Sequence, residues 1–373
     1  MEKEFSMKKI AIVLNSSWQA YNFRLNLAQY LTRVGYKVII FAPKDGHYCH
    51  YIEKKFDFVD IKLQPNGMNP FQDIKLFFSL FFHYRKIKPD VVLNFTIKPN
   101  IYSAIAAKFL DIKSINNVTG LGTVFIKKNF ITKIVQKLYR ISLSCTNKVF
   151  FQNKDDLDLF LKQNFVSNDK CSLIPGSGVD TSKFCPTVVK KNDTFRFLMV
   201  ARLIKDKGIF EYVEAAKTLQ NKSIEFWVLG ESQPANNTAL SKDEITKLSN
   251  QGSIIFFDRT DDVKSFLDKV DCVVLPSYRE GSPRSIMEAS ATALPVIVTD
   301  VPGCRQVVDD GVTGLYCKVR DSKDLKNKME NIITMTVRER EKMGQRGRKK
   351  MLEQFDELIV LEQYTKTIAN LLN

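Results

Sequence analysis

Residues 271–289 read DCVVLPSYREGSPRSIMEA, and this stretch decides how the second half of the chain is built. It opens on a short apolar run, Asp271–Ser277, without the alternation of a half-exposed strand, so it reads as a strand buried on both faces of a parallel sheet. Ser282 then suits an N-cap and Pro283 the first position of a helix. The backbone N–H groups of Ser285 and Ile286 would leave that helix start together with the positive end of its dipole, which makes a seat for a phosphate. Glu280 lies in the loop before the seat and Glu288 on the first turns after it. A diphosphate with a polyol at each end would find an anion site in the middle and an accepting carboxylate on either side, which describes a nucleotide-sugar. The same residues also suit an ordinary Ser-Pro helix start with two solvated glutamates, and the stretch alone leaves both readings open.

Outward from it, strands alternate with helices. Upstream the order is strand Arg196–Val200, helix Ile209–Leu219, strand Glu225–Leu229, strand Ser253–Phe257 and helix Asp262–Val270; downstream come helix Arg284–Thr292 and strand Pro295–Val298. The first half repeats the pattern. Strand Lys8–Leu14, helix Tyr21–Val34 and strand Lys37–Phe41 form a β-α-β unit, followed by strands Asp90–Asn94, Ser114–Asn117, Lys148–Gln152 and Cys171–Ile174, with a helix over Tyr102–Leu110. Two such series joined by the polar connector Phe184–Asn192 predict an α/β protein of two Rossmann-like domains facing across a cleft. The expected boundaries are 1–186, 187–355 and a terminal helical piece, 356–373, packing back on the first domain. No G-x-G-x-x-G follows the first strand, which argues against a dinucleotide site there.

Composition narrows the function. The 373 residues are 44% hydrophobic and 26% charged, enough for two folded cores. Seven scattered cysteines without a C-x-x-C suggest reduced thiols in the cytoplasm, and the three histidines, His47, His50 and His83, lack the acidic or thiol partners of a metal site. The opening residues are charged and no apolar run reaches membrane-span length, so neither a signal peptide nor a span is expected; Met7 is an alternative start. The net charge of +15 is uneven: residues 1–186 hold 27 Lys and Arg against 14 Asp and Glu, whereas residues 187–373 hold 29 against 27. A basic first half suits a polyanion, an anionic membrane surface or a solvated lysine-rich skin. Phe71–Lys88 and Phe125–Ser144 mix large apolar and basic residues at helical spacing, which suits either a headgroup interface or a core-facing helix.

After the strand Arg196–Val200 comes ARLIKDKG, residues 201–208. Arg202 and Lys207 stand where that strand ends, as the Glu280 loop stands at the end of its own. Two cations there can neutralise a diphosphate and stabilise charge on a leaving group.

These residues together resemble the donor half of retaining glycosyltransferases of family four, which have the GT-B fold. The resemblance is carried by Arg202 and Lys207-Gly208, Gly230 after an apolar strand, Asp262-Val263 and the Glu280-x7-Glu288 block. The turn Ile174-Pro175-Gly176-Ser177-Gly178-Val179-Asp180 with Phe184 adds to it. Tyr21-x-Phe23-Arg24 and Asn117-Val118-Thr119-Gly120-Leu121-Gly122 look like the bacterial branch that adds N-acetylhexosamine-type sugars to undecaprenyl-diphosphate-linked glycans. The resemblance implies catalytic roles for Arg202 and Lys207 at the donor diphosphate and for Glu280 at the hydroxyls of the transferred sugar. It implies that Glu288 holds the ribose, and that Gly281, Ser282, Pro283 and Arg284 line the sugar. Ser285 and Ile286 would line the phosphate, with Gly230 and Arg259 near ribose and base. Asn15, Ser16, Arg24, Lys98, Thr119 and Gly120 fall on the acceptor side. It further implies a UDP-sugar donor, no metal cofactor and a lipid-linked diphosphate glycan acceptor. The enzyme would lie peripherally on the inner face of the bacterial inner membrane, held through the basic first domain, in O-antigen, capsule, lipopolysaccharide or glycoprotein glycan assembly. Nucleic acid is not an expected partner.

The sequence departs from the family pattern in three places: Thr96-Ile97-Lys98-Pro99-Asn100 replaces a loop in which many relatives carry a histidine, Ser282 replaces Phe or Leu, and Asp258 replaces Gly. These changes bear on the donor sugar more than on the reaction class. Three rivals remain. A nucleotide-sugar 2-epimerase shares the architecture but would be expected to carry acids and histidines missing here. A nucleic-acid-binding protein would explain the basic half but lacks a recognisable motif. A scaffold with a decayed site would lack some of Arg202, Lys207, Glu280 and Glu288.

Overall fold

The computed structural model describes residues 7–64, 69–120, 130–187, 194–219, 223–232 and 238–373. The chain forms two compact units, Met1–Ser177 with Val360–Asn373, and Gly178–Ile359.

The first unit is built on a seven-stranded parallel sheet in the order β3-β2-β1-β4-β5-β6-β7. Its strands are β1 Lys9–Val13, β2 Lys37–Ala42, β3 Asp57–Asp60, β4 Val91–Phe95, β5 Lys113–Val118, β6 Lys148–Phe151 and β7 Cys171–Leu173. β1 and β4 are buried along nearly their whole length, because helices cover both faces and leave no side for polar residues. The order reverses between β1 and β4, where Val13 pairs with Asn94, and a ligand crevice opens at such a switch point. β3 was not foreseen: its DFVD sequence has too little apolar content to read as a strand, and it survives by pairing along β2 at the sheet edge.

Two predicted helices begin differently from the expectation. The chain after β1 forms a wide π-helical turn, Ala20–Arg24, before the α-helix Leu25–Arg33, and the chain after β4 forms another, Pro99–Ser103, before Ala104–Phe109. Pro99 brings no N–H to the ladder, and wide turns of this kind concentrate at functional sites. Both follow the two strands at the switch point.

Beneath that edge lies a buried amide network. Asn94 Nδ2 donates to Asn116 Oδ1 at 2.8 Å, Asn116 Nδ2 to the Asn100 carbonyl at 2.8 Å, and Asn100 Nδ2 to the Asn117 carbonyl at 2.7 Å. Tyr364, on the terminal helix Glu357–Leu372, donates its hydroxyl to Asn117 Oδ1 and packs edge-on against Phe150. Val360, Leu361 and Ile368 of the same helix enter the core of β1, β2, β4 and β5.

The segment Phe71–Lys88 is the helix Pro70–Ile87, started by the Asn69 side chain, which accepts from the Phe71 N–H at 3.0 Å. The second basic segment contains the helix Phe130–Cys145, with Tyr139 and Leu143 in the core; its residues 125–129 lie outside the described residues.

The second unit holds a six-stranded parallel sheet, β10-β9-β8-β11-β12-β13. Its strands are β8 Phe195–Val200, β9 Ile224–Leu229, β10 Ile255–Phe257, β11 Cys272–Leu275, β12 Val296–Thr299 and β13 Leu315–Cys317. The helix Ile209–Leu219 falls where predicted; the expected helix over 262–270 contracts to Lys264–Leu267, because the chain must turn to bury Val270 before entering β11. The order reverses between β8 and β11, the strands that carry Arg202, Lys207 and Glu280 at their ends. Where the chain enters and leaves this unit the two passages bond to each other, Val179 N–H to the Phe355 carbonyl at 2.9 Å and Glu357 N–H to the Val179 carbonyl at 3.0 Å.

Candidate active site

The loops leaving β8, β11 and β12 are fastened to one another by backbone. Tyr278 N–H donates to the Asp206 carbonyl at 2.9 Å, joining the β11 loop to the β8 loop. Gly208 closes the short 3-10 turn Lys205–Lys207 at φ +76°, and a Cβ there would lie 2.1 Å from the Pro276 carbonyl oxygen. Gly303, after β12, has φ +79°, and its Cβ would lie 2.5 Å from the Gly281 carbonyl oxygen and 2.7 Å from that of Glu280. Gly230, after β9, likewise lies flat against the Ala201 carbonyl. Only residues without a side chain allow these backbones to approach so closely.

The fastening brings Lys207 and Glu280 together. Lys207 Nζ donates to Glu280 Oε1 at 2.5 Å, with side chains only 17% and 10% exposed. An ammonium and a carboxylate on neighbouring strand ends, shielded from water, form a strong local dipole. Thr299 Oγ1 donates to the Ser277 carbonyl beneath them, and Ser277 Oγ is buried without a partner among the described residues. Arg202 is exposed at the end of β8.

The helix start differs by one residue from the expectation. The helix runs Arg284–Ala291 and Pro283, in extended conformation, occupies the cap; Ser282 lies before it, its hydroxyl 3.7 Å from Met287 Sδ. Ile286 N–H turns back to the Pro283 carbonyl at 3.2 Å, which it shares with Met287 N–H at 3.1 Å. Pro283 has no side chain that could cap these amides. Ser285 N–H keeps no acceptor among the described residues and remains the group at the mouth of the helix.

Glu288, two turns of chain beyond Glu280, is buried and accepts from Arg284 Nε at 2.8 Å. Burial raises its carboxyl above the usual range, and the charges of Arg284 and Lys183 only partly offset that. Arg259 Nη1 meets Glu231 Oε1 at 2.8 Å, tying the β10 loop to the β9 loop beside Gly230. Lys207, Glu280, Ser285 and Glu288 thus share the β8–β11 end of the sheet, with Arg259 and Gly230 one strand further out. The sequence reading missed Gly303, Asp206 and Tyr278. Pro302-Gly303 signalled a turn, but nothing local showed which loop that turn would face.

In the first unit, the residues expected on the acceptor side stand at the ends of β1, β4 and β5. Asn15 Oδ1 and Thr96 Oγ1 are buried without partners among the described residues, and Thr96 holds the left-handed φ of +72°. Ser16 is committed to a helix start, accepting from Gln19 N–H at 3.2 Å. Arg24 is 5% exposed and lies over the Phe95 ring at 4.2 Å, a core position rather than a rim. Lys98 is neutralised by Asp73 at 2.7 Å, and Tyr102 also donates to that carboxylate at 2.9 Å. Asp73 was not anticipated as its partner, being 25 residues away. Thr119 and Gly120 leave β5 half-buried, while Leu121 and Gly122 of the same motif lie outside the described residues. Among the described residues no group of His, Cys, Asp and Glu is placed to hold a metal.

Comparison with known proteins identifies families for both halves of the chain. Residues 9–153 match the "Glycosyl transferase 4-like" family and residues 182–350 the "Glycosyl transferases group 1" family. The chain is 25% identical to the N,N'-diacetylbacillosaminyl-diphospho-undecaprenol alpha-1,3-N-acetylgalactosaminyltransferase of Campylobacter jejuni, over 96% of this chain and 97% of that protein. It is also 25% identical to the UDP-Gal:alpha-D-GlcNAc-diphosphoundecaprenol alpha-1,3-galactosyltransferase of Escherichia coli, over 77% of each. Among solved structures, Anabaena HepE in complex with UDP and glucose superposes with a TM-score of 0.80 at 16% identity, covering 97% of this chain and 99% of that one. With a 4-like first half and a group 1 second half, the chain belongs to the glycosyltransferases of GT-B fold.

Proposed function

We propose that the protein transfers a galacto-type or N-acetylhexosamine sugar, with retention, from a UDP-sugar to an undecaprenyl-diphosphate-linked glycan in bacterial surface polysaccharide or glycoprotein assembly. The observation that carries this reading is the Lys207–Glu280 ion pair beside the open start of the helix Arg284–Ala291. A donor diphosphate placed against Ser285 N–H would draw on Lys207 and Arg202, and Glu280, released in part from Lys207, would accept hydroxyls of the sugar. Glu288 would accept the ribose hydroxyls. In the transfer the bond from the anomeric carbon to the UDP oxygen breaks while the acceptor oxygen bonds to the same face. The acceptor proton passes to the departing phosphate oxygen, whose charge Lys207 and Arg202 stabilise. The names of the Campylobacter and Escherichia relatives support the acceptor class, and that of the Escherichia relative the UDP donor. The reading needs no metal, since the two cations and a helix start supply the charge.

Incubation of the purified protein with UDP-GalNAc, UDP-GlcNAc or UDP-galactose and a lipid-diphosphate sugar tests it. The expected result is acceptor-dependent UDP release and an α-linked product by NMR. Epimerised nucleotide-sugar formed without acceptor, or no reaction with any donor, would overturn it.

The fastening of the loops has its own consequence. Gly303→Ala drives a methyl group into the Glu280–Gly281 backbone and is expected to lower the transfer rate by about 100-fold by displacing Glu280. Gly311 has φ +70° but open space around it, so Gly311→Ala should cost only about 1–2 kcal/mol of backbone strain and keep its rate. Steady-state kinetics with thermal unfolding of both variants separates displacement from strain.

A further inference from the structure

The first unit carries a cluster of aromatic side chains that its core does not absorb. The wide turn Ala20–Arg24 presents Tyr21, which packs on the core around β1 and β2. The short helix Tyr48–Glu53 presents Tyr48 and Tyr51, spaced to share one face. Cys49 and Ile52, at the same spacing one residue on, are 5% and 1% exposed and anchor the helix. The Tyr21 ring lies 5.2 Å from that of Tyr48 and 5.7 Å from that of Tyr51, tilted at 42° and 46°. His47 stands edge-on to Tyr48 and Tyr51 at 4.7 and 5.5 Å. The loop behind them is fixed: Asp45 Oδ1 accepts from the His47 and Cys49 N–H groups, each at 3.1 Å, and Ser17 Oγ donates to the Pro43 carbonyl at 2.5 Å. Ser17 follows β1 and Pro43 follows β2, so the cluster lies one strand out from the switch point between β1 and β4, a step of roughly 5 Å. Tyr51 is 44% exposed and His47 is exposed, while Tyr21 and Tyr48 are half-buried.

The chemistry of the cluster selects its occupant. Every ring in it has an apolar face and a polar tip, phenol or imidazole. Among the described residues between 35 and 70, Tyr51 is the only strongly exposed large apolar side chain. The neighbouring charges are largely spent: Lys44 Nζ meets Glu53 Oε1 at 2.6 Å, and Asp45 holds two backbone amides. Lys54 Nζ, 5.8 Å from the Tyr51 ring centroid, adds a donor at the rim. An acyl chain or an apolar protein face would ask for aliphatic contacts, and a polyanion for a group of unpaired cations. An uncharged pyranose asks for what is here. Its flat side of slightly positive C–H groups packs on the negative face of an aromatic ring, and its hydroxyls bond to the polar tips. Tyrosine gives such contact at a low cost in side-chain entropy.

We propose that Tyr21, His47, Tyr48 and Tyr51 form a stacking platform for an uncharged sugar ring of the glycan acceptor. This rests on the reading above, which supplies a glycan acceptor, and deepens it by naming the surface that grips one of its rings. Saturation-transfer NMR tests it on the full chain, with UDP present to fill the donor side. The probes are the methyl glycosides of N-acetylgalactosamine, N-acetylglucosamine and galactose. The wild-type chain should pass saturation to the ring C–H protons of at least one of them. Tyr51→Ala and Tyr51→Leu should each weaken that binding about 3- to 10-fold, and Tyr51→Trp should retain it, since only an aromatic face stacks. With a lipid-diphosphate glycan, Tyr51→Ala and Tyr51→Leu should raise the acceptor KM by about the same 3- to 10-fold and leave kcat and UDP affinity at their wild-type values. No saturation of any probe, or saturation and acceptor KM unchanged in Tyr51→Ala, would overturn the inference. So would Tyr51→Leu behaving as wild type, the mark of a general apolar contact. Absence of transfer from any donor, with probe saturation present and still weakened in Tyr51→Ala, would instead refute the substrate reading and leave the platform standing.

Discussion

Lys207→Ala is expected to lower the transfer rate by about 100- to 1,000-fold, the usual cost of removing one preorganised donor from a developing anion. It should also destabilise the second unit, because Glu280 is then left as a shielded carboxylate without its counter-charge. The two effects separate in the double variant. Removing Glu280 as well takes away the orphaned charge, so Lys207→Ala with Glu280→Ala should be more stable than the sum of the single changes, by a coupling of about 1–3 kcal/mol. Its rate should stay at or below that of Lys207→Ala, since in the proposed donor pose neither the diphosphate nor the sugar hydroxyls regain a partner. Denaturant unfolding of the four proteins in the cycle, alongside their rates, tests this. Additive stabilities would show that the pair carries no energy, and near-normal rates in Lys207→Ala would remove the diphosphate assignment.

Glu288→Gln is expected to have opposite effects on function and on stability. The fold raises the carboxyl of Glu288 above its ordinary 4.5 because burial disfavours the charged form. A carboxyl raised in the folded state favours folding while protonated. That contribution is present below the ordinary value and is lost as pH rises through the raised one. Near neutral pH the wild-type fold therefore holds an unfavourable carboxylate, and the neutral amide of Glu288→Gln relieves it. The variant should unfold at a higher temperature than wild type near neutral pH, with the difference shrinking toward acid pH. Its donor affinity should fall about 10- to 100-fold, because in the proposed donor pose a charge-assisted bond to the ribose becomes a neutral one. Calorimetry across pH and UDP titration check the two halves. A variant less stable than wild type at neutral pH would mean that the Arg284 pair outweighs burial.

The strand ends were largely legible in the sequence, because buried parallel strands announce themselves as apolar runs and the punctuation between them is Gly, Pro and Asn. Lys207, Glu280 and Glu288 could be picked out because each sits one loop from such a run. What could not be read was anything set by contacts distant in sequence. The partnership of Lys98 with Asp73 depends on how the helix Pro70–Ile87 lies over the sheet, and the place of Arg24 over Phe95 depends on the wide turn after β1. β3 and β13 are too short for their composition to speak. One element was legible and was missed: Ser241-Lys242-Asp243-Glu244 spells a capping box, and it starts the helix Lys242–Asn250 with both reciprocal bonds formed. That the Ile286 and Met287 N–H groups share the Pro283 carbonyl is a detail of turn geometry rather than of composition.

The glycines at 208, 230 and 303 set a limit on how this enzyme can change. Where backbone meets backbone at such distances, the loops leaving β8, β9, β11 and β12 can be neither lengthened nor re-threaded without undoing their neighbours. Diversification toward another sugar must then proceed by exchanging side chains on a fixed floor. On the proposed function, Ser282 and Asp258, which depart from the family pattern, are the positions where a change of donor is to be sought.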